Sequence, residues 1–379
     1  MIYEVPSWSS LTPICALLAF GASLHTTLLL LATVRWHHRL SLDENEGVQR
    51  SHSEPTARVG GIAVLVGVLV GCVFLPPERR GLLWTLLLCG APAFAFGLAE
   101  DLSKRVSVRA RLLATVACGV LGYAYSGHAI TQVGVPGLDW LLGFPLLAVA
   151  FTAVAAGGVA NAINIIDGMN GIALGVILVI LGSFALLGDA LGDHEIVQSC
   201  LVMGAAALGL MLLNWPMGKI FLGDGGAYFL GFSVAWMAVT LLARHPEVSA
   251  WTPLLICGFP VLEVMFSVLR RWRRRQKVGG PDAMHLHSLV KRRLARRLLP
   301  NSSKLVRNSA TGAIMWLAGL LPACIGLYWV GNAPALAAGF AVSAFLYSAS
   351  YARLTQFRWC IGAPTMRAPV LAAARNDVP

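Results

Sequence analysis

The sequence predicts an all-α polytopic membrane protein of about eleven transmembrane helices. Three observations carry this reading: of its 379 residues 57% are hydrophobic, only 12% are charged, and the mean hydropathy is +0.70. A soluble domain gives about a quarter of its residues to charge. A chain this apolar takes the bilayer as its solvent, where only segments that satisfy their own backbone hydrogen bonds are stable. Its length therefore divides into runs of roughly 20 residues rather than into two or three soluble domains.

The first run, residues 11–34, is too long for a signal peptide and lacks a cleavage-site pattern, so it reads as a retained span. Further spans follow at 59–76, 81–98, 112–129, 140–159, 171–188, 196–213, 227–243, 251–269, 310–330 and 334–352, several interrupted by Gly and Pro. Lys and Arg set the orientation, because positive loops stay cytoplasmic. With the N-terminus out and the C-terminus in, 26 of the 29 Lys and Arg fall in inner segments, and only Arg79, Arg80 and Arg244 fall outside. Asp139, Asp189, Asp193, Glu195 and Glu247 belong to the outer loops. The net charge of +11 is thus an orientation signal and an attraction for anionic lipid and phosphate, and no nucleic-acid partner is implied. The eight cysteines fall mostly inside spans without a CxxC pair and read as small core hydrophobes. No segment between spans is large enough for a second domain, so residues 1–379 form one integral membrane domain.

All the polar motifs fall on the inner side, in the segments 35–58, 99–111, 160–171, 214–226 and 270–309. They are SEPTARVGG (Ser53 to Gly61), AEDLSKRVSVRAR (Ala99 to Arg111), NAINIIDGMNG (Asn161 to Gly171), NWPMGKIFLGDGG (Asn214 to Gly226) and GGPDAMHLHSLVKRR (Gly279 to Arg293). A transporter would instead place its ionisable residues near the midplane, at broken helices. Asp101, Asp167 and Asp224, with Glu100 beside the first, offer the hard oxygens Mg²⁺ prefers. Lys104, Arg105, Arg109, Arg111, Lys219 and the basic 270–297 stretch supply the positive charge that phosphate requires. His285 and His287 can donate to phosphate. The glycines at 168, 171, 223, 225 and 226 allow backbone to approach a ligand closely. Together these are the parts of phosphoryl transfer, which depends on positioning and electrostatic stabilisation.

Plainer roles stand beside these. An Asp at a span end, as at 101, can cap a helix, and Asp224 can serve a tight turn. Arg270 to Arg275 suits a stop-transfer anchor, and His37, His38 and His52 suit a solvated loop. Glu263, an acid inside the ninth span, should find a partner or line the site.

The ordered set NAINIIDGMNG, NWPMGKIFLGDGG and DAMHLHSLVKRR, with Glu100 and Asp101 ahead of it, resembles the polyprenyl-phosphate N-acetylhexosamine-1-phosphate transferases over nearly the whole chain. That family includes enzymes that start O-antigen and common-antigen synthesis and the translocase of lipid I synthesis. The resemblance implies transfer of a sugar-1-phosphate from a UDP-sugar, of GlcNAc type, to undecaprenyl phosphate in the bacterial cytoplasmic membrane, releasing UMP. The cofactor would be Mg²⁺, with Mn²⁺ as a substitute. By the same resemblance Asp224 is the Mg²⁺ ligand, with Asp101 as a second candidate, and Phe221 stacks near the uracil. Asn164, Asp167, Gly168 and Asn170 contact the nucleotide or its phosphates, with Arg58, Asn214 and Lys219 nearby. Glu100, Asp101 and Asp167 are the catalytic acids, Asp101 as base or nucleophile, and His285 and His287 hold the donor diphosphate.

Three departures narrow the reading. Glu100 replaces an aspartate, Asn170 replaces a second aspartate found in many members, and HLHS differs from the His-rich run of the lipid I translocase. A surface-polysaccharide initiating enzyme is therefore favoured over the peptidoglycan one. Undecaprenyl phosphate is already a competent nucleophile near pH 7, which favours direct attack over an aspartyl intermediate. The rival class is a transporter or flippase for an anionic lipid. Neither the sugar nor the oligomeric state, a homodimer included, follows from the sequence.

Overall fold

A computed structural model describes residues 11–36, 56–275, 282 and 284–356. Most of the expected 35–58 segment, His37, His38 and His52, residues 276–281 and 283 of the basic segment, Cys360 and both termini lie outside the described residues. In chain order the main helices are α1 (Leu11–Ala32), α2 (Gly60–Phe74), α3 (Gly81–Ser103), α4 (Val108–Ser126), α5 (Pro145–Ile166) and α6 (Ile172–Ala190). They continue as α7 (His194–Asn214), α8 (Gly223–Arg244), α9 (Trp251–Ile256), α10 (Gly258–Arg273), α11 (Lys304–Tyr328) and α12 (Ala333–Thr355). No named strand occurs among the described residues, whose one isolated bridge is a parallel pairing of Ala57 with Ile220.

Eight of these helices are long and apolar enough to cross a membrane: α1, α3, α5, α6, α7, α8, α11 and α12. The other three expected spans are helical but different in kind. Helix α2 has only 15 residues. Helix α4 carries Arg109 and Arg111 near its start, which shortens its apolar stretch. The run at 251–269 divides at Cys257 into α9 and α10, because Pro260 has no N–H to donate to the carbonyl of Ile256. The run expected at 140–159 also divides: a short helix, Pro136–Leu142, precedes α5, which Pro145 opens at a position where its missing N–H costs nothing.

The helices extend beyond the apolar runs into the motifs. Helix α3 continues to Ser103, α5 to Ile166, and α8 begins at Gly223. The segments 99–111, 160–171 and 214–226 therefore contract to loops of 104–107, 167–171 and 215–222. The 270–309 segment is likewise partly helical, at Leu286–Leu289, Val290–Ala295 and Arg296–Leu298. A polar side chain does not end a helix when a neighbour satisfies it, and here neighbouring helices do.

Helix α8 is the axis of the bundle. It packs against α3, α5, α2 and α6, and 83% of its apolar window is buried, against 22% for α1 and α12 at the periphery. Trp236, Phe229 and Phe232 on α8 are fully buried. Small residues bring the backbones together, as they do where apolar side chains gain little from burial. A Cβ on Gly97 of α3 would lie 2.6 Å from Gly225 Cα, and one on Gly231 would lie 2.7 Å from Ala160 Cα of α5. Around the outside, Leu17, Leu146 and Phe345 are exposed, as lipid-facing residues are. Cysteines 15, 72, 89, 118, 200 and 257 are free and buried, whereas Cys324 is free and exposed.

Helix α8 ends in charge at both termini, with Asp224 at one and Arg244 at the other, about 30 Å apart at 1.5 Å per residue. Arg244 donates to Asp193 (3.2 Å) and Glu195 (2.7 Å), and the other Glu195 oxygen accepts the Leu82 N–H at 2.6 Å. The two acids and the arginine that the charge count assigns to outer loops thus tie α3, α7 and α8 together at one end.

Gly97→Ala should lower stability by about 1–3 kcal/mol, the cost of overpacking a tight contact. Gly182→Ala should not, since a Cβ there meets nothing within 4 Å. Thermal midpoints of the two variants in detergent check the contrast.

Candidate active site

At the end of the bundle opposite Arg244, the chain before α2 lies beside the chain before α8. Phe221 N–H donates to Ala57 O (2.8 Å), Gly60 N–H to Phe221 O (2.9 Å) and Gly61 N–H to Leu222 O (2.7 Å). Residue 60 must be glycine, because a Cβ would lie 2.5 Å from Phe221 O. This pairing places Arg58 beside Asp224: its Nη2 donates to Asp224 Oδ1 at 3.1 Å, and its Nε lies 3.8 Å from Asp101 Oδ1. Arg111, from the start of α4, donates to the other Asp224 oxygen. Ser107 caps α4 by accepting the Ala110 N–H at 3.2 Å, which fixes the turn that carries Arg111.

The acids hold different positions. Asp101 is buried, and its two oxygens accept the N–H groups of Asp224 and Gly225, each at 3.0 Å. Glu100 accepts the Val106 N–H at 2.8 Å and so closes the loop between α3 and α4. Asp167 follows the last residue of α5 and is half-buried; its N–H donates to Asn164 O at 3.2 Å, and its side chain makes no hydrogen bond among the described residues. Burial pushes its carboxyl up to about 7, against the pull of Arg58 and with help from Asp224 and Asp101. Those same influences show that all three aspartates share one electrostatic site.

Asn164 lies in the last turn of α5, three residues before Asp167, and is half-buried. Asn161, one turn earlier, donates to Thr115 Oγ1 on α4 at 2.9 Å. Two other asparagines brace loops. Asn214 accepts the Gly171 N–H (2.6 Å) and donates to Ile220 O (2.7 Å). Asn170, fully buried, donates to Ser309 Oγ (2.8 Å) and Pro216 O (3.3 Å). Both side chains turn into the fold. Trp316 donates to Gly171 O (2.7 Å) and Trp215 to Ser309 O (2.9 Å), holding the same loops from α11. Phe221 is half-buried at the pairing with Ala57, and Lys219 is exposed.

The two histidines separate as well. His285 Nδ1 lies 2.9 Å from Glu263 Oε1, and Nε2 lies 3.6 Å from Asp282 Oδ2. Glu263, fully buried on α10, also accepts the Leu286 N–H at 3.3 Å. Asp282 pairs in turn with Arg270 and Arg271. Burial opposes ionisation of Asp282, but Arg270, the Met284 N–H and His285 together outweigh it and hold the carboxyl below its usual range. The partner expected for the intramembrane acid Glu263 is therefore His285, and the pair straps the histidine segment to α10. His287 is buried and stacks on His285 with ring centroids 5.5 Å apart. A Cβ on Gly168 would come within 2.5 Å of His287 Nε2, so glycine there lets the imidazole close on the loop after α5. Burial pushes the pKa of His287 down to about 4, which keeps it neutral.

The structure thus gathers Arg58, Asp101, Asp167 and Asp224, with His287 against Gly168, and assigns Glu100, Asn170, Asn214 and His285 to holding loops. It adds Arg111, which the sequence shows only as one of many basic residues. A sharper signal was present: an arginine near the N-terminus of an apolar helix opposes the helix dipole and needs an acidic partner. Among the described residues no three His, Cys, Asp or Glu side chains form a closed metal cage. Mg²⁺ usually takes one or two carboxylates and completes its shell with substrate phosphate and water. The Asp167 side chain, which makes no hydrogen bond among the described residues, suits that share; Asp224 would take part by exchanging Arg58 or Arg111 for the metal, whereas both Asp101 oxygens are held by backbone N–H groups that fix the start of α8.

Residues 83–242, which contain Asp101, Asp167 and Asp224, match the family model of glycosyl transferase family 4. The chain is 28% identical over 276 residues to the probable undecaprenyl-phosphate N-acetylglucosaminyl 1-phosphate transferase of Bacillus subtilis, covering 71% of this chain and 75% of that one. It is 28% identical over 281 residues to the undecaprenyl-phosphate alpha-N-acetylglucosaminyl 1-phosphate transferase of Escherichia coli K12, covering 71% and 74%. It is 31% identical over 206 residues to the phospho-N-acetylmuramoyl-pentapeptide-transferase of Moorella thermoacetica, covering 50% and 63%.

The raised pKa of Asp167 gives a pH test. Its folded value, about 7, lies above the ordinary 3.8, so the folded state holds this proton more tightly than the unfolded state. Stability is drained as pH rises from about 4 to about 7. Asp167→Asn should raise the thermal midpoint at pH 8, and the difference should shrink towards pH 4. Melting curves across that range check it.

Proposed function

We propose that this chain, whose residues 83–242 match the model of glycosyl transferase family 4, transfers an N-acetylhexosamine-1-phosphate from a UDP-sugar to undecaprenyl phosphate, releasing UMP. The observation that carries this reading is the meeting of Asp101, Asp167 and Asp224 with Arg58 and Arg111 at one end of the bundle. We place that end at the cytoplasmic face, in an eleven-span chain with its N-terminus outside, because 26 of 29 basic residues then lie inside. The membrane is the bacterial cytoplasmic membrane, where the lipid acceptor resides.

In the reaction, a phosphate oxygen of the lipid attacks the phosphorus that carries the sugar. A new P–O bond forms as the bond from that phosphorus to the bridging oxygen breaks, and the oxygen leaves as part of UMP. Arg58 and Arg111 neutralise phosphate charge through guanidinium forks. Mg²⁺, with Mn²⁺ as a substitute, would be held by Asp224 and Asp167 and would supply further neutralisation of the diphosphate. Asn164, three residues before Asp167, orients the nucleotide, and Phe221 offers a ring to the uracil. Neutral His287 offers a hydrogen bond without adding charge. Lys291, which burial and the nearby Lys304 and Arg307 push down to about 8, keeps most of its charge beside His287. An apolar cavity of about 310 Å³, lined by Val133, Leu138, Phe151, Val239, Leu242 and Leu254, lies between α5, α8, the broken α9–α10 pair and the 130–138 segment, in the half of the bundle nearer Arg244 than Asp224.

We favour an enzyme that initiates a surface polysaccharide such as O-antigen, because HLHS departs from the His-rich run of the lipid I translocase. The similarity to the Moorella thermoacetica protein keeps that translocase as the second reading. The transporter reading loses its main support, since Glu263, the acid placed well inside a span, is bound to His285.

Purified protein in detergent, given UDP-GlcNAc, undecaprenyl phosphate and Mg²⁺, should release UMP. No UMP with any UDP-N-acetylhexosamine tried would overturn the transferase reading. Asp224→Asn should lower kcat by about 100-fold or more. Activity retained with unchanged Mg²⁺ dependence would remove Asp224 as the metal ligand.

A further inference from the structure

Helix α8 has no cap of its own. The residue before it, Leu222, has helical dihedrals and no side-chain hydrogen bond to offer, and Gly223 has a left-handed φ of 76°. The first N–H groups of a helix need acceptors and carry the positive end of its dipole. Asp101 supplies them from another helix, with one oxygen on the Asp224 N–H and the other on the Gly225 N–H, each at 3.0 Å. Its side chain is 2% exposed, and the glycine contact between Gly97 and Gly225 keeps α3 close enough for the reach.

A proton acceptor or nucleophile needs a lone pair aimed at substrate. Asp101 instead directs both oxygens at the backbone that bears Asp224, and Arg58 Nε lies 3.8 Å from one of them. We propose that Asp101 is a positioning residue, a cap supplied by α3 that fixes the first turn of α8 and thereby sets where the Asp224 carboxylate lies. The proposal rests on the transferase reading and replaces the base or nucleophile role that the family resemblance offers for this acid. Asparagine at 101 keeps one acceptor but turns a donor towards the second N–H. Glutamate keeps the charge and moves it by one methylene.

Three measurements on the full chain in detergent test this. In Asp101→Asn, amide exchange in peptides covering 222–229 should accelerate by about tenfold or more, the order expected for a lost cap. Mn²⁺ affinity, read by electron paramagnetic resonance in the presence of UMP, should fall by about tenfold. The residual turnover should keep the wild-type pH profile. Wild-type exchange and wild-type Mn²⁺ affinity, together with loss of the acidic limb of the profile, would overturn the proposal and restore Asp101 as the base. Should Asp101→Asn not fold, Asp101→Glu carries the test: weakened Mn²⁺ binding with a carboxylate still present supports positioning, and wild-type binding overturns it. Absence of both Mn²⁺ binding and UMP release in the wild-type protein would instead refute the transferase reading.

Discussion

The polar end of this protein is organised by the first turn of α8. Asp224 receives Arg58 from the segment before α2 and Arg111 from α4, while its own backbone is held by Asp101 from α3. None of these contacts is local in sequence. The charges of Asp224, Asp101, Arg58 and Arg111 are each offset within hydrogen-bond distance, which is the condition for keeping ionised groups beside hydrocarbon, where an unpaired one costs several kcal/mol. The bundle must bring α2, α3 and α4 to α8 in one register for the charges to be met, so the electrostatics of the site also constrain the packing of the helices.

The glycines make that convergence geometrically available. Gly60 admits the backbone pairing with Phe221, Gly97 admits the approach of α3 to Gly225, and Gly168 admits the ring of His287. Water drives little of this association inside a bilayer, so close backbone contact and satisfied polar groups take its place. Glycine therefore has two roles here. In the helices it shortens the distance between axes, and in the motif loops it removes the side chain that would keep a functional group away.

Much of this was legible in the sequence. The apolar runs located the helices, the charge asymmetry gathered the motifs at one end, and Asp101, Asp167 and Asp224 do share a site. Directions were not legible. Asn170 and Asn214 stand in motif segments with the composition of a ligand cradle, yet their amides turn inward to Ser309 and Ile220. His285 and His287 are two residues apart, but one is bound to Glu263 and the other lies against Gly168. A side chain's partner from another helix leaves no trace in local spacing, and neither does a helix that continues through polar residues, as α5 does to Ile166. Arg111 stood in the sequence among many basic residues, and its pairing with Asp224 emerges only in the structure.

Helix α8 also works as a ruler. One straight element carries Asp224 at its first turn and Arg244 at its last residue, and each is engaged by ions from other helices. A slip of one helical turn would displace both ends by about 5.4 Å. That would separate Arg244 from Asp193 and Glu195 at one end and Asp224 from its arginines at the other. The two ion clusters therefore fix the axial position of the helix to less than a turn, and with it the depth at which the carboxylate of Asp224 meets the membrane surface.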